Sequence, residues 1–219
     1  MAAKPWSVAF WLLVWQGSGM ALAAAVPHGG LLLASPVQAA LRLLELLPSP
    51  AFWRAVGNSS VRIFGGFLLS CALAVPLAAL AAGHPRLRDL LAPPVAVVKA
   101  TPVASFIILA LVWLDARSLS LFISALRGFP PVYLNVLEGL RQTDPKLLEL
   151  ARVYRIPFRR RVRGIYLPQV LPYFRSASSL ALGLCWKAGA AAEVIGLPAG
   201  TIGERLYTAK VYLQTPDLF

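Results

Sequence analysis

The segment EGLRQTDPKLLELARVYRIPFRRRVRGIYLP, from Glu138 to Pro168, is the one long charged stretch in a chain otherwise made of apolar runs. Its basic residues are Arg141, Lys146, Arg152, Arg155, Arg159, Arg160, Arg161 and Arg163, and its acids are Glu138, Asp144 and Glu149. Residues 138–168 are named the basic segment below. Because this segment lies between two apolar runs of membrane length, we expect it to be a working surface rather than a passive connector.

The composition indicates an integral membrane protein. Of the 219 residues, 58% are hydrophobic and only 14% are charged, whereas soluble domains carry about 25% charged residues. The net charge of +12 would also suit nucleic-acid binding. The basic residues, however, cluster between apolar runs, as they do in cytoplasmic loops of membrane proteins. We therefore predict contact with a lipid bilayer and no nucleic-acid partner.

Five apolar runs are candidates for membrane-spanning helices, because about 20 helical residues cross a hydrocarbon core of about 30 Å. These runs cover residues 5–26, 60–82, 90–114, 118–137 and 170–195. The predicted fold class is all-α, a polytopic membrane protein with residues 1–219 in a single transmembrane domain. A cleaved signal peptide is the alternative for the first run, with Lys4 before it and a cleavage site at 21–23, but the length of the run favours a retained helix.

Strict alternation from a cytoplasmic Lys4 assigns a side of the membrane to every loop. It places residues 27–59 and 115–117 outside, and residues 83–89 and 138–168 inside. Both basic loops are then cytoplasmic, as the positive-inside rule requires. The outer loop carries an amphipathic piece at 37–47, which predicts a short surface helix. The polar tail, residues 196–219, is expected outside.

The basic segment itself is predicted to be a helix–turn–helix. Asp144 can cap a helix that has Pro145 at its first position. The apolar side chains Leu147, Leu148, Ala151 and Tyr154 share one face of that helix. Pro157 disfavours helical angles at the residue before it, so the first helix should stop there. A second short helix, residues 157–164, then carries the arginines.

This segment resembles the EAA loop of ABC-importer permeases, whose pattern is E-A-A, three residues, G, nine residues, I-x-L-P. In register with that pattern stand Glu149, Leu150, Ala151, Arg155 at the glycine position, Ile165, Leu167 and Pro168. Beyond the loop, VVKATPVASFIILALVWL, YLNVLEGLRQTDPKLLELA and WKAGAAAEVIG are similar to the nitrate/sulfonate/taurine-type branch. The resemblance covers roughly residues 55–219.

The resemblance implies the type I importer permease fold with its final helix missing, in the bacterial cytoplasmic membrane. It also implies a loop that docks in a groove on a cytoplasmic ATPase subunit, an extracytoplasmic substrate-binding protein and a second permease copy, expected to form a homodimer. The implied docking residues are Glu149, Ala151, Arg155, Ile165, Leu167 and Pro168. Leu150 and Arg155 depart from the pattern, and a bend made by Ile156-Pro157 is the alternative to one at Arg155. As an alternative to docking, the arginines can set the orientation of the chain in the membrane and contact anionic lipid.

No catalytic residue, cofactor or metal site is predicted. The sequence has no GxxxxGK[ST] phosphate loop, so ATP hydrolysis is expected on a separate subunit and this chain is not expected to be an enzyme. Cys71 and Cys185 lie inside apolar runs without CxxC or Cys/His spacing. Both are expected to be packing residues, without a disulfide.

Ionisable residues inside a membrane normally face a cavity or a partner. Arg127 is the sharpest case, because it stands beside Pro130 and Pro131, which are expected to kink or break their helix. We predict that Arg127, Lys187 and Glu193 belong to the translocation pathway. The alternative role for Arg127 is structural, through carbonyls freed by the two prolines or a pair with Glu193. Lys99, like Lys187, can instead extend towards an interface.

The substrate expected from the branch is a small anion, a sulfonate or a thiamine-precursor-like molecule. Two other functions stay open at this stage. A secondary transporter or channel would use the same intramembrane charges, although inverted repeats are not evident in the sequence. A membrane scaffold that binds an ATPase without transporting is the other, because the expected final span after residue 219 is missing.

Overall fold

The computed structural model describes residues 4–25 and 32–219, and all regular structure within them is helical. The helices are α1 (Pro5–Ala25), α2 (Pro36–Leu46), α3 (Pro50–Gly83), α4 (Pro85–Ala100), α5 (Val103–Ala110), α6 (Ala116–Arg141), α7 (Pro145–Val153), α8 (Phe158–Arg161), α9 (Leu167–Gly196) and α10 (Ile202–Val211). A π-helical turn, Val162–Tyr166, joins α8 to α9, and a 3₁₀ turn, Thr215–Leu218, follows α10. The predicted all-α class is confirmed. Residues 26–31 of the first predicted run and outer loop lie outside the described residues.

The chain forms two compact units. The first unit comprises Met1–Asn58 and Leu197–Phe219, and the second comprises Ser59–Gly196. The basic segment and the predicted pathway residues all belong to the second unit. The single transmembrane domain stays a prediction.

Two described helices, α1 and α3, are long and apolar enough to cross a membrane, and α4 with α5 makes a third candidate that is bent by 102°. The bend lies at Thr101 and Pro102, within the predicted third run. Thr101 has extended backbone angles, φ −78° and ψ 135°, because a following proline disfavours helical angles. The third run is therefore two helices. The crossing of a membrane by α6 and α9, and the count of five spans, stay predictions.

In the first unit, α2 begins with a capping box at Ser35. The Ser35 hydroxyl accepts from the Gln38 amide at 3.3 Å, and the Gln38 side chain accepts from the Ser35 amide at 3.0 Å. Arg42 of α2 donates from Nε and Nη2 to the two carboxylate oxygens of Asp217. The hydrogen bonds to the Asp217 carboxylate raise the pKa of the Arg42 guanidinium above its usual range, so the arginine stays charged. The predicted surface helix at 37–47 is thus Pro36–Leu46, tied to the C-terminal turn.

In the second unit, α6 and α9 pack through small residues that let the two backbones approach closely, as is common between membrane helices. A Cβ placed on Gly128 of α6 would lie 2.6 Å from the Ser70 hydroxyl and 2.7 Å from the Cys185 sulfur. Ser124 donates its hydroxyl to the Cys185 carbonyl, and the Cys185 thiol donates to the Ser124 carbonyl, both at 3.1 Å. Cys71 and Cys185 are free, in agreement with their predicted packing roles.

Helix α6 runs without interruption through Pro130 and Pro131. The predicted break at these prolines is therefore wrong, and a kink stays a prediction. Neither proline can donate to the carbonyl four residues earlier, but Pro130 is buried and the neighbouring Gly128 is enclosed by α3 and α9. Asn135 Nδ2 also donates to the Pro131 carbonyl at 2.8 Å. Close packing therefore keeps the helix continuous where two backbone donors are missing, as membrane helices allow.

The close approach at Gly128 generates a stability prediction. Gly128→Ala should destabilise the second unit by about 1–3 kcal/mol, because the added methyl group overpacks the contact with Ser70 and Cys185. Gly183→Ala on α9 is the matched control, since a Cβ there meets nothing within 4 Å. Its expected effect is neutral or a gain of up to about 1 kcal/mol from helix propensity. Unfolding in mixed micelles titrated with dodecyl sulfate measures both, and equal stability of the two variants would contradict the packing argument.

Candidate functional site

The basic segment begins as predicted, with a capped helix. The Asp144 carboxylate accepts from the Lys146 amide at 2.9 Å, and Pro145 is the first residue of α7. In addition, the Asp144 amide donates to the Gln169 side chain at 3.0 Å. This contact, which sequence reasoning missed, ties the start of α7 to the first turn of α9.

The corner after α7 is made by Arg155, which has a positive φ of 48°. The Ile156 amide donates to the Ala151 carbonyl at 2.8 Å, and the Arg155 amide donates to the Arg152 carbonyl at 3.1 Å. These two bonds and one left-handed residue are the Schellman ending of a helix, where glycine is the usual residue. The bend is therefore made at Arg155, which takes the left-handed conformation that glycine adopts most easily, and Pro157 follows it in extended backbone.

Beyond the corner, the chain is helical almost at once. The predicted second helix, 157–164, consists of Phe158–Arg161 and the beginning of the π-helical turn, which leads directly into α9. Leu167 and Pro168, predicted to lead into the last span, are its first two residues. Proline clashes with the carbonyl four residues earlier in an α-helix, and a π turn immediately before Pro168 widens the helix there. The Leu167 amide accordingly donates to the Val162 carbonyl, five residues back.

The predicted docking residues differ in accessibility. Glu149, Arg155, Leu167 and Pro168 are exposed, Ile165 is half-buried and Ala151 is buried. Large apolar side chains that sequence reasoning did not single out as docking residues stand exposed around the corner, namely Val153, Tyr154 and Phe158. The signal available in the sequence was their place within three residues of Arg155, the glycine position of the loop pattern. An exposed tyrosine next to arginines is a composition typical of binding hot spots.

Arg127 makes a contact that neither predicted alternative named. Its Nη1 donates to the Val98 carbonyl of α4 at 2.9 Å. In an unbroken helix that carbonyl would accept from the amide of residue 102, but residue 102 is a proline and has no N–H. Arg127 therefore supplies, from α6, the donor that α4 lacks at its bend. Its positive charge also suits the negative end of the α4 dipole.

The same arginine lines a cavity of about 280 Å³. The cavity walls are formed by Lys99, Arg127, Pro130, Pro131, Leu134 and Asn135, together with two leucines of α9. Both charged residues among these walls are cations. With no carboxylate in its lining, the cavity favours an anion, because a charge in an apolar setting needs an opposite charge close by.

The structure brings Arg127 together with Lys99 rather than with Lys187. Lys187 is exposed and lies outside the lining of this cavity. Glu193 is buried, and it accepts from the Ser59 hydroxyl at 2.6 Å. Pathway roles for Lys187 and Glu193 stay predictions. Lys99 was not predicted to join the pathway, and the signal that could have found it is its place three residues before Pro102, where α4 bends.

Comparisons with known proteins agree with this geometry. A family model described as "binding-protein-dependent transport system inner membrane component" matches residues 74–219. The chain is 29% identical over 212 residues to a putative aliphatic sulfonates transport permease protein of Bacillus subtilis, covering 95% of this chain and 74% of that protein. It is 28% identical over 192 residues to a probable ABC transporter permease protein of Brucella melitensis, covering 87% and 78%. It is 25% identical over 164 residues to a bicarbonate transport system permease protein of Synechococcus elongatus, covering 74% and 58%.

The left-handed corner can be tested by replacing arginine with glycine at two positions, one in the corner and one inside α7. Arg155→Gly should stabilise the corner by about 1 kcal/mol, because glycine avoids the steric cost of a positive φ. Arg152→Gly, inside α7, should destabilise it by about 1 kcal/mol through lost helix propensity. Hydrogen exchange of the Ile156 amide, whose bond closes the corner, reports both changes. Slower exchange in Arg155→Gly and faster exchange in Arg152→Gly are expected, and changes of the same sign would contradict the assignment.

Proposed function

This chain belongs to the binding-protein-dependent transport system inner membrane components, and on that premise we propose that it conducts a small anion for an ATP-driven importer. As an ABC transporter permease it is a multi-pass protein of the inner membrane, and its family works with a partner ATPase and a substrate-binding protein. The proposal adds where the ATPase docks, how its movement reaches the pathway, and what charge the pathway accepts.

The ATPase docks, in this proposal, on the corner of the basic segment. The observation that supports this is the positive φ of Arg155. A substitution at the family's glycine position would be expected to change the shape of the loop, and here the backbone keeps the left-handed form regardless. The exposed side chains of Tyr154 and Phe158 then offer apolar anchors. Glu149, which is exposed on α7, is available to pair with a basic group of the ATPase.

Movement passes from the docked corner to the pathway through α9. From Phe158 to Gly196 the chain is helical without a gap, and the Asp144–Gln169 bond fastens α7 to this helix. Helices α6 and α9 are closely packed through Gly128, Ser124 and Cys185, so a displacement of α9 is expected to be passed on to α6. A rigid-body shift of the basic segment is thus expected to move the walls of the Arg127 cavity.

The solute is expected to be a small anion. Arg127 and Lys99 are the charged residues that line the cavity. The relatives named above are described as permeases for aliphatic sulfonates and for bicarbonate, and both solutes are anions at neutral pH. A sulfonate or carboxylate can accept hydrogen bonds from the guanidinium and the ammonium at once. The remaining particulars of the proposal are five spans with the basic segment cytoplasmic, a homodimer, and delivery of the solute at the outer face.

Substitution of Arg127 tests the anion pathway. Arg127→Gln removes the positive charge but keeps an amide donor for the Val98 carbonyl. Uptake of radiolabelled ethanesulfonate by proteoliposomes holding the assembled importer should fall by about tenfold or more, because an intramembrane charge pairing with the solute is lost. Arg127→Leu removes charge and donor together, and it should also lower the thermal stability of the protein.

Arg117→Gln is the matched control, since Arg117 is exposed on the same helix and lies outside the cavity lining. It should transport at the unsubstituted rate. Uptake by Arg127→Gln that equals this control would exclude Arg127 from the pathway. Hydrolysis of ATP that rises with ethanesulfonate supports the importer against a scaffold role, and uptake without ATP would instead support a channel or secondary transporter.

The docking proposal is tested with a pair of tyrosines. Tyr154 at the corner is 73% exposed and Tyr212 in the C-terminal tail is 71% exposed, so truncation of either leaves the core intact. Tyr154→Ala should weaken capture of the ATPase by about 2 kcal/mol, as expected of an aromatic anchor at an interface. Tyr212→Ala, predicted to lie on the opposite side of the membrane, should not change it. Co-purification of the ATPase with each variant measures the difference, and equal yields would place docking elsewhere.

A further inference from the structure

A second cavity, of about 320 Å³, lies between α4 and the end of α6 in the same unit. Its lining includes Arg88 from the first turn of α4, Lys99 near the end of α4, and Tyr133 of α6. Lys99 and Leu134 line both this cavity and the one at Arg127. The two cavities are therefore neighbours that share a cation and a leucine wall. Together they extend from the middle of α6 to the start of α4.

The charge of the second cavity is set by two cations and one carboxylate. Asp89 also lines it and accepts from Arg88 Nε at 3.4 Å. The Asp89 side chain is 72% exposed, so solvent screens this adjacent pair and its interaction is weak. Lys99 has no such neighbour among the lining residues, and the balance of charge is positive.

Tyr133 provides an observation that is independent of the charges. The residue is only 2% exposed, and its hydroxyl is buried without a hydrogen-bond partner. A buried hydroxyl without a partner costs about 1–3 kcal/mol, so such groups commonly mark a place where a ligand or water binds. Its ring is held in place by stacking on Phe129, with 5.6 Å between centroids. Tyr133 and Arg88 both line this cavity.

We propose that this cavity is a second oxyanion site, where a sulfonate-, carboxylate- or phosphate-type group is held by Arg88, Lys99 and the Tyr133 hydroxyl. The inference rests on the proposed anion pathway and adds its exit. The start of α4 and the end of α6 both adjoin loops that are predicted to be cytoplasmic. An anion leaving Arg127 is passed by the shared Lys99 to Arg88 and Tyr133, and then released. The same chemistry fits the phosphate of an anionic lipid, which the experiment separates.

The test is calorimetric binding of ethanesulfonate to the full chain in nanodiscs of phosphatidylcholine. Two binding events per chain are expected. Tyr133→Phe removes only the partnerless hydroxyl, so the fold should be kept, while the second event weakens by about tenfold, as expected for a lost hydrogen bond to a charged group. Arg88→Gln should weaken the same event at least as much. Arg86→Gln is the matched control, because Arg86 is exposed in the same turn and does not line the cavity.

The lipid arm repeats these measurements with one part of phosphatidylglycerol in three. If a lipid headgroup is the natural occupant, the second event disappears in these discs and less phosphatidylglycerol stays bound to Tyr133→Phe. If the transported solute is the occupant, the second event persists. Either result supports an oxyanion site. Tyr133→Phe and Arg88→Gln that behave like Arg86→Gln in both kinds of disc overturn it.

Arg127→Gln separates this inference from the proposed function. It should abolish the first binding event and leave the second. Loss of the first event in Arg127→Gln with no effect of Tyr133→Phe or Arg88→Gln overturns the exit site alone. Absence of any ethanesulfonate binding to the unsubstituted protein overturns both proposals.

Discussion

The hydrogen bond from Arg127 to the Val98 carbonyl is the contact on which the candidate pathway depends. Pro102 leaves that carbonyl without its helical donor, and a buried carbonyl without a partner is costly. The guanidinium of a different helix meets the need at 2.9 Å. One contact therefore holds the bend between α4 and α5 and fixes the arginine beside a cavity. It also brings Lys99, the residue after Val98, to the same place.

Close packing of α6 on α3 and α9 is what allows this arrangement. Two adjacent prolines would ordinarily end or kink a helix, at a cost of about 3 kcal/mol each. Here glycine and small side chains on the facing helices let the backbones meet, and the helix continues. Pro130 and Pro131 then line the cavity that Arg127 also lines. The two prolines therefore contribute to the cavity lining without interrupting α6.

At the Arg155 corner, too, an unfavourable backbone conformation is held in place by surrounding contacts. A left-handed arginine costs about 1–2 kcal/mol relative to a residue free of steric conflict. The two backbone bonds that close α7, together with the burial of Ala151, over-determine the turn and hold the arginine in it. The loop therefore has the left-handed turn that glycine usually makes, and the arginine adds a positive charge to the exposed surface.

The sequence by itself determined the helical class, the membrane environment and the capped start of α7, because these follow from composition, periodicity and local caps. Its loop motif carried the family resemblance. It also marked Arg127 as unusual. Only the tertiary structure decided that Pro130 and Pro131 do not break α6, that the bend lies at Arg155, and that Lys99 rather than Lys187 joins Arg127. The first and the third depend on contacts between residues far apart in the chain, and the second depends on the backbone bonds that close α7. The carbonyl that Pro102 leaves without a helical donor, for example, finds one in Arg127 of another helix.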